Sequence, residues 1–310
     1  MRTMYSCERH KGSALLFTSI CLAALAFSAA AQDKDKKEDL PQPDRTVIYK
    51  SVGGMDLELH VFDPLSDASA VKRPAIVFFF GGGWKGGSPK QFYPQCHYLA
   101  SHGMLAMAAE YRTLKNGGVP PKECVKDGKS AIRFVRSHAE ELRVDPNRIA
   151  AGGGSAGGHI AAATGTVNGF EHEDADLTIS SRPNALVLFN PVYDNSSEGY
   201  GYDRVQDYWE SFSPLHNIDE DTPPCVVFLG TEDKLIPIAT AQEFQSRMKA
   251  LGIRSDLHTY EGEGHGFFNW QRKEHLYFKK TMTEAHHFLQ ELDYLKDPPN
   301  VEGYVEKYGS

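Results

Sequence analysis

Ser155 lies in the run Gly153-Gly154-Ser155-Ala156-Gly157, a G-x-S-x-G pattern. An apolar strand pattern (Arg148–Gly152) precedes it and a small-residue helix pattern (Ala156–Thr166) follows. A nucleophile on such a tight strand-to-helix turn takes strained backbone angles and tolerates only small neighbours, which Gly152, Gly154, Gly157 and Gly158 supply. A serine hydroxyl is a weak nucleophile until a base takes its proton, and the base needs an acid to orient it. His265, in the glycine-flanked run Gly262-Glu263-Gly264-His265-Gly266-Phe267, is the candidate base. Asp233 closes Gly230-Thr231-Glu232-Asp233 just past the apolar run Val226–Leu229, where a carboxylate faces the C-terminal end of a sheet. Asp194, after the apolar run Ala185–Phe189, competes for the acid's role, and Glu232 does so more weakly. A bare G-x-S-x-G is common. The strand before it, the helix after it and the order Ser, Asp, His make it specific.

A second glycine run, Gly81-Gly82-Gly83-Trp84, follows Phe78-Phe79-Phe80. Such a turn after a core strand exposes backbone N–H groups, which together with that of Ala156 could hold an oxyanion. Losing one such donor typically costs about 2.7–4 kcal/mol of transition-state stabilisation. The Lys-Ser/Thr ending of a phosphate loop is absent. These parts suffice for two-step acyl transfer through an acyl-serine with no cofactor, and no Cys/His cluster has the spacing of a metal site.

The elements that must position these residues alternate. Thr46–Tyr49 and Leu57–Val61 flank Gly53-Gly54 as a hairpin; Ala75–Phe80 and Met104–Ala109 read as buried strands. Ser88-Pro89 opens a helix to about Ser101, and helical spacing continues over Lys122–Leu142, Ala239–Leu251 and Glu274–Leu295, the last carrying His286 and His287 on its surface. With Asp256–Tyr260 as a further strand, the pattern predicts an α/β fold around a mostly parallel sheet. The long segment Asn190–Pro224 carries Tyr193, Tyr200, Tyr202, Tyr208, Trp209 and Phe212 and reads as an aromatic insertion over the site.

The 310 residues, 41% hydrophobic, suffice for one large core, expected over residues 44–296 with a peripheral tail over 297–310. A net charge of −8 argues against nucleic-acid binding. Arg2, Arg9 and Lys11, the apolar run Ala14–Phe27 and Ala29-Ala30-Ala31 predict a signal peptide over residues 1–31, hence export and no span left in a membrane after cleavage. Residues 32–43 are charged and Pro-bearing and read as a disordered linker. Cys96, Cys124 and Cys225 would remain, an odd number read as small buried hydrophobes.

From about Arg45 to Leu292 the chain resembles the esterase/lipase branch of the α/β-hydrolases, closest to bacterial hormone-sensitive-lipase-like and feruloyl- and acetyl-xylan-esterase-like enzymes. The matching pieces are Gly81-Gly82-Gly83-Trp84, Glu110-Tyr111-Arg112, Asp145-Pro146-Asn147-Arg148-Ile149, the Ser155 turn, Asp233 and His265. The resemblance implies the α/β-hydrolase fold, a serine esterase activity, and Gly82, Gly83 and Ala156 as oxyanion donors. Relatives usually carry a loop-bracing His before the three glycines; this chain has Phe80.

Export, an acidic surface and the aromatic insertion favour a small acyl ester on a carbohydrate, acetyl or feruloyl, as substrate. Trp84 after the oxyanion glycines, Phe267 and Phe268 after His265, and Tyr193 in the insertion are the expected substrate-binding rings. Two other classes share the fold. A prolyl-oligopeptidase-like peptidase normally carries a large N-terminal propeller, for which this chain has no room. A non-catalytic binding protein would be expected to have lost a triad member, and all three are present.

Overall fold

The computed structural model describes residues 40–65 and 72–309, so the expected signal segment and all of the linker before Leu40 lie outside the described residues. Eight strands form one sheet: β1 (Arg45–Val52), β2 (Met55–Phe62), β3 (Arg73–Phe79), β4 (Leu105–Ala109), β5 (Val144–Gly154), β6 (Ala185–Phe189), β7 (Cys225–Gly230) and β8 (Ser255–Tyr260). Their spatial order is β1-β2-β4-β3-β5-β6-β7-β8. The β1–β2 and β2–β4 pairs are antiparallel, and β4 through β8 run parallel.

The two-residue period of a strand divides the core. Along β3, Ala75, Val77 and Phe79 face one apolar layer, while Ile76 and Phe78 face the other. The first layer is covered by α3 (Pro121–Ser137), α4 (Ala156–Thr166) and α6 (Ile238–Ala250), through Ile132, Ile160 and Phe244. The second is covered by α1 (Tyr93–Ser101) and α7 (Leu276–Glu291), through Leu99 and Phe278. Burying one such aliphatic or aromatic side chain contributes about 1.5–3 kcal/mol. Short helices α2 (Leu114–Gly117) and α5 (Trp209–Phe212) sit in the connections. This is the expected α/β-hydrolase architecture, with β3, β5, β6 and β7 all ending toward one rim.

Several details differ from the sequence expectations. The helix opened by Ser88 begins as a 3-10 turn over Pro89–Phe92, with the Ser88 hydroxyl accepting from the Lys90 N–H at 3.3 Å. The tail is not peripheral: α8 (Val301–Tyr308) buries Val301 and Tyr304, and the Tyr304 hydroxyl donates to the Pro94 carbonyl at 3.2 Å. Leu40, expected in the linker, packs against the same layer. His286 is buried rather than on the surface, held by the Tyr98 hydroxyl and the Asp297 carbonyl. Cys96, Cys124 and Cys225 are free and buried, and burial raises each thiol above its ordinary range. No helix among the described residues is long and apolar enough to cross a membrane.

Candidate active site

The end of β5 turns into α4 at Ser155, whose φ of 55° and ψ of −121° hold it in a strained conformation. The turn has no room to spare. A Cβ on Gly157 would lie 2.0 Å from the Phe79 carbonyl oxygen, so only glycine lets α4 back onto the end of β3. The Ser155 N–H donates to the Phe189 carbonyl at 3.0 Å, and its carbonyl accepts from the N–H groups of His159 and Val192. The nucleophile's backbone is thereby tied to the end of β6.

Asp233 follows β7 with its side chain fully buried. Its Oδ1 accepts from the Leu235 and Ile236 N–H groups at 2.9 and 3.0 Å, which orients the carboxylate. Its Oδ2 lies 2.7 Å from His265 Nδ1, and His265 Nε2 lies 2.9 Å from Ser155 Oγ. The three sequence-predicted residues thus form one continuous hydrogen-bonded line. Asp194 is elsewhere engaged, accepting from the Ser196 N–H and hydroxyl, and Glu232 is exposed.

Gly82, with φ of 128°, needs its missing side chain: a Cβ would fall 2.0 Å from the Gly86 carbonyl oxygen. Among the described residues no protein acceptor takes the N–H of Gly82, Gly83 or Ala156. Two contacts hold Phe80, at the position where the family resemblance leads one to expect a His. The Phe80 ring stacks on Tyr111 at 4.1 Å, and the Tyr111 hydroxyl donates to the Phe80 carbonyl at 2.6 Å. Arg204, from the aromatic insertion, donates to the Gly83 carbonyl at 2.6 Å.

Ser155 and His265 open onto a cavity of about 520 Å³ whose lining includes Gly82, Gly83, Asn190, Tyr200, Leu235 and Phe268. Three expected substrate-binding rings are not in it. Trp84 is buried beneath the glycine loop against His159 and Phe212; Tyr193 is buried and stacked on Phe244 at 4.0 Å; Phe267 packs against Tyr260 and Tyr277. Of the insertion's aromatics, Tyr200 lines the cavity.

Asn190 escaped the sequence analysis. It is fully buried with φ of 33°, its Oδ1 accepts from the Gly266 N–H at 3.1 Å, and its Nδ2 lies 3.5 Å from His265 Nε2. The Asn190-Pro191 pair was its one sequence signal, since Asn-Pro marks a turn.

His159, one turn past Ser155, is fully buried and donates from Nε2 to the Asn195 side chain and the Phe212 carbonyl. Burial pushes its pKa down to about 3. The unfolded chain takes up this proton near pH 6.5, so stability present at neutral pH is lost as pH falls from about 6.5 toward about 3. We expect the Tm to drop on acidification in that window and His159→Gln to flatten the drop. An unchanged Tm-versus-pH slope in the variant would refute this.

Glu58, His60 and Glu110 bring ligand-type atoms within 4.8 Å of one another, the one such grouping among the described residues. They lie at the β2–β4 pair, outside the lining of the Ser155 cavity, and His60 already partners Glu110 at 3.5 Å, drawing that carboxyl below its ordinary range.

The chain as a whole is similar to known proteins. A family model described as BD-FAE matches residues 60–196, and one described as the dienelactone hydrolase family matches residues 191–297, so Ser155 falls in the first and Asp233 and His265 in the second. The chain is similar to esterase 2 of Thermogutta terrifontis: against its apo form the identity is 46% and the TM-score 0.80, covering 84% of this chain and 98% of that one. That relative has also been solved phosphoramylated by tabun and with butyrate bound. Esterase LipC of Mycobacterium tuberculosis is 29% identical over 65% of this chain and 55% of its own length. An acetylxylan esterase of Xylanibacter ruminicola is 25% identical over 62% of this chain and 41% of its own length. The chain spans about half the length of these curated relatives.

Proposed function

The chain belongs to the α/β-hydrolase esterase family, and from that premise we propose that it is a serine carboxylesterase acting on small acyl esters. The observation that carries this reading is the line from Asp233 through His265 to Ser155 Oγ at 2.7 and 2.9 Å, opening on a cavity beside backbone N–H groups with no protein acceptor. In this mechanism His265 takes the hydroxyl proton as Ser155 attacks the ester carbonyl. The oxyanion rests on the N–H groups of Gly82, Gly83 and Ala156. The alcohol departs with the proton held on His265 Nε2, and a water attacks the acyl-serine by the same route. Asp233 keeps Nδ1 protonated, so that Nε2 is the free base.

The substrate class proposed is a short acyl ester on a carbohydrate, met after export. Three things support it: the basic-then-apolar N-terminal residues, the likeness to a protein named as an acetylxylan esterase, and the cavity's walls. Phe268 is packed against Phe92 and Phe189, leaving a fixed ring where a longer chain would need space.

A series of p-nitrophenyl esters tests this reading. The expected optimum of kcat/KM is at about two to four acyl carbons, since each further methylene that found room would add about 0.8 kcal/mol of binding. Trp84→Ala is expected to leave that optimum in place while lowering stability by about 3–5 kcal/mol, because the ring is core. An optimum at eight carbons or beyond would reject the short-acyl assignment, and a shifted optimum in Trp84→Ala would return that ring to the pocket wall. Release of acetate from acetylated xylan, against none from it with ready hydrolysis of p-nitrophenyl acetate, decides the carbohydrate assignment.

A further inference from the structure

The glycine loop and the histidine loop are joined by a chain of hydrogen bonds through two side-chain amides. The Gly81 N–H donates to Gln91 Oε1 at 2.6 Å, and Gln91 Nε2 donates to Asn269 Oδ1 at 2.9 Å. Asn269 Nδ2 then donates to the Gly266 carbonyl at 2.7 Å, while the Gly266 N–H is taken by Asn190. Every link has a fixed polarity. A backbone N–H at one end demands the oxygen of Gln91, which turns its amide nitrogen toward Asn269; a backbone carbonyl at the other end demands the nitrogen of Asn269, which turns its oxygen back toward Gln91. Neither amide can flip without setting like groups face to face.

Both ends sit beside the chemistry. Gly81 precedes the proposed oxyanion donors and lies under the nucleophile, where a Cβ would come within 3.3 Å of Ser155 Cβ. Gly266 directly follows His265. Gln91 itself is anchored in the capped Pro89–Phe92 turn, its N–H donating to the Ser88 carbonyl. Gln91 and Asn269 both line the Ser155 cavity, yet neither bonds to Ser155, His265 or Asp233.

We propose that Gln91 and Asn269 are positioning residues, a two-amide brace that fixes the oxyanion loop relative to the His265 loop so that both meet Ser155 Oγ at once. The inference rests on the hydrolase reading above. It requires a signature that a mere packing role lacks: the brace works only while position 91 both accepts from Gly81 and donates to Asn269. Gln91→Glu keeps the shape. As the neutral acid it accepts through its carbonyl and donates through its hydroxyl, which restores the brace. As the carboxylate it has no donor.

The test is the pH profile of p-nitrophenyl acetate hydrolysis by the full chain, wild type against Gln91→Glu. With an ordinary glutamic acid pKa of about 4.3, the ratio of variant to wild-type kcat should rise steadily as pH falls, dropping roughly tenfold between about pH 4.5 and about pH 6.5, with KM little changed. Single and double Gln91→Ala and Asn269→Ala variants give a second measure: each single should cost roughly 10–100-fold in kcat, and the double no more than either single, as for two parts of one device. A ratio that does not change with pH, or additive losses in the double variant, overturns the brace while leaving the hydrolase standing. A wild-type chain that hydrolyses no ester overturns both.

Discussion

Ser155→Ala is expected to lower kcat for ester hydrolysis by roughly 10⁶-fold, the loss typical when a triad nucleophile is removed, with the fold intact. The side chain removed is small, and the turn that holds it is built by backbone bonds to Phe189, Val192 and His159 that alanine keeps. The φ of 55° is strained for alanine as for serine, so the substitution adds little new strain. Circular dichroism and Tm should match wild type while turnover vanishes. Turnover near the wild-type rate in a folded Ser155→Ala protein would remove Ser155 from the mechanism.

Asp233→Asn is expected to lower kcat by roughly 10⁴-fold, through the tautomer of His265. An asparagine here keeps its oxygen on the Leu235 and Ile236 N–H groups, which fixes which way the amide points. Its nitrogen then takes the place of Oδ2, facing His265 Nδ1 with a donor. The imidazole answers by carrying its proton on Nε2, the atom that must accept from Ser155 Oγ. The base is present and wrongly protonated. Asp194→Asn, whose carboxylate serves the Ser196 turn, should change kcat far less. Steady-state kinetics on both variants checks this, and the reverse ranking would move the acid's role to the end of β6.

The hydrogen-bonded line from Asp233 through His265 to Ser155 was legible because each of its residues announces itself locally. Ser155 has its glycines, Asp233 ends an apolar strand, and His265 stands in a glycine-flanked loop, so the order along the chain was enough to join them. The parallel sheet was legible for a similar reason: strands buried on both faces read as unbroken apolar runs. The walls of the cavity were not. Trp84 and Phe267 were read from their places beside the glycine run and His265, and Tyr193 from its place in the aromatic insertion, but a place in the sequence does not say which way a ring turns, and all three are buried.

The brace was invisible for a different reason. Gln91, Asn190 and Asn269 are ordinary polar residues in three distant turns, and they acquire meaning only when β3, β6 and the His265 loop meet at one rim. His286 was legible and misread. It lies four residues after Met282 on the stripe that α7 buries, so its helical period placed it inside despite its polarity. The docked tail had a cue as well, since Val301, Tyr304 and Val305 recur at helical spacing.

The central claim is that Ser155 is the residue that carries the acyl group. Titrating the protein with diethyl p-nitrophenyl phosphate, and measuring intact mass, the modified peptide and residual esterase activity together, tests it most directly. One diethylphosphoryl adduct per chain is expected, on Ser155, formed in step with loss of activity and absent from Ser155→Ala. An adduct on another residue that abolishes activity while Ser155 stays unmodified would contradict it.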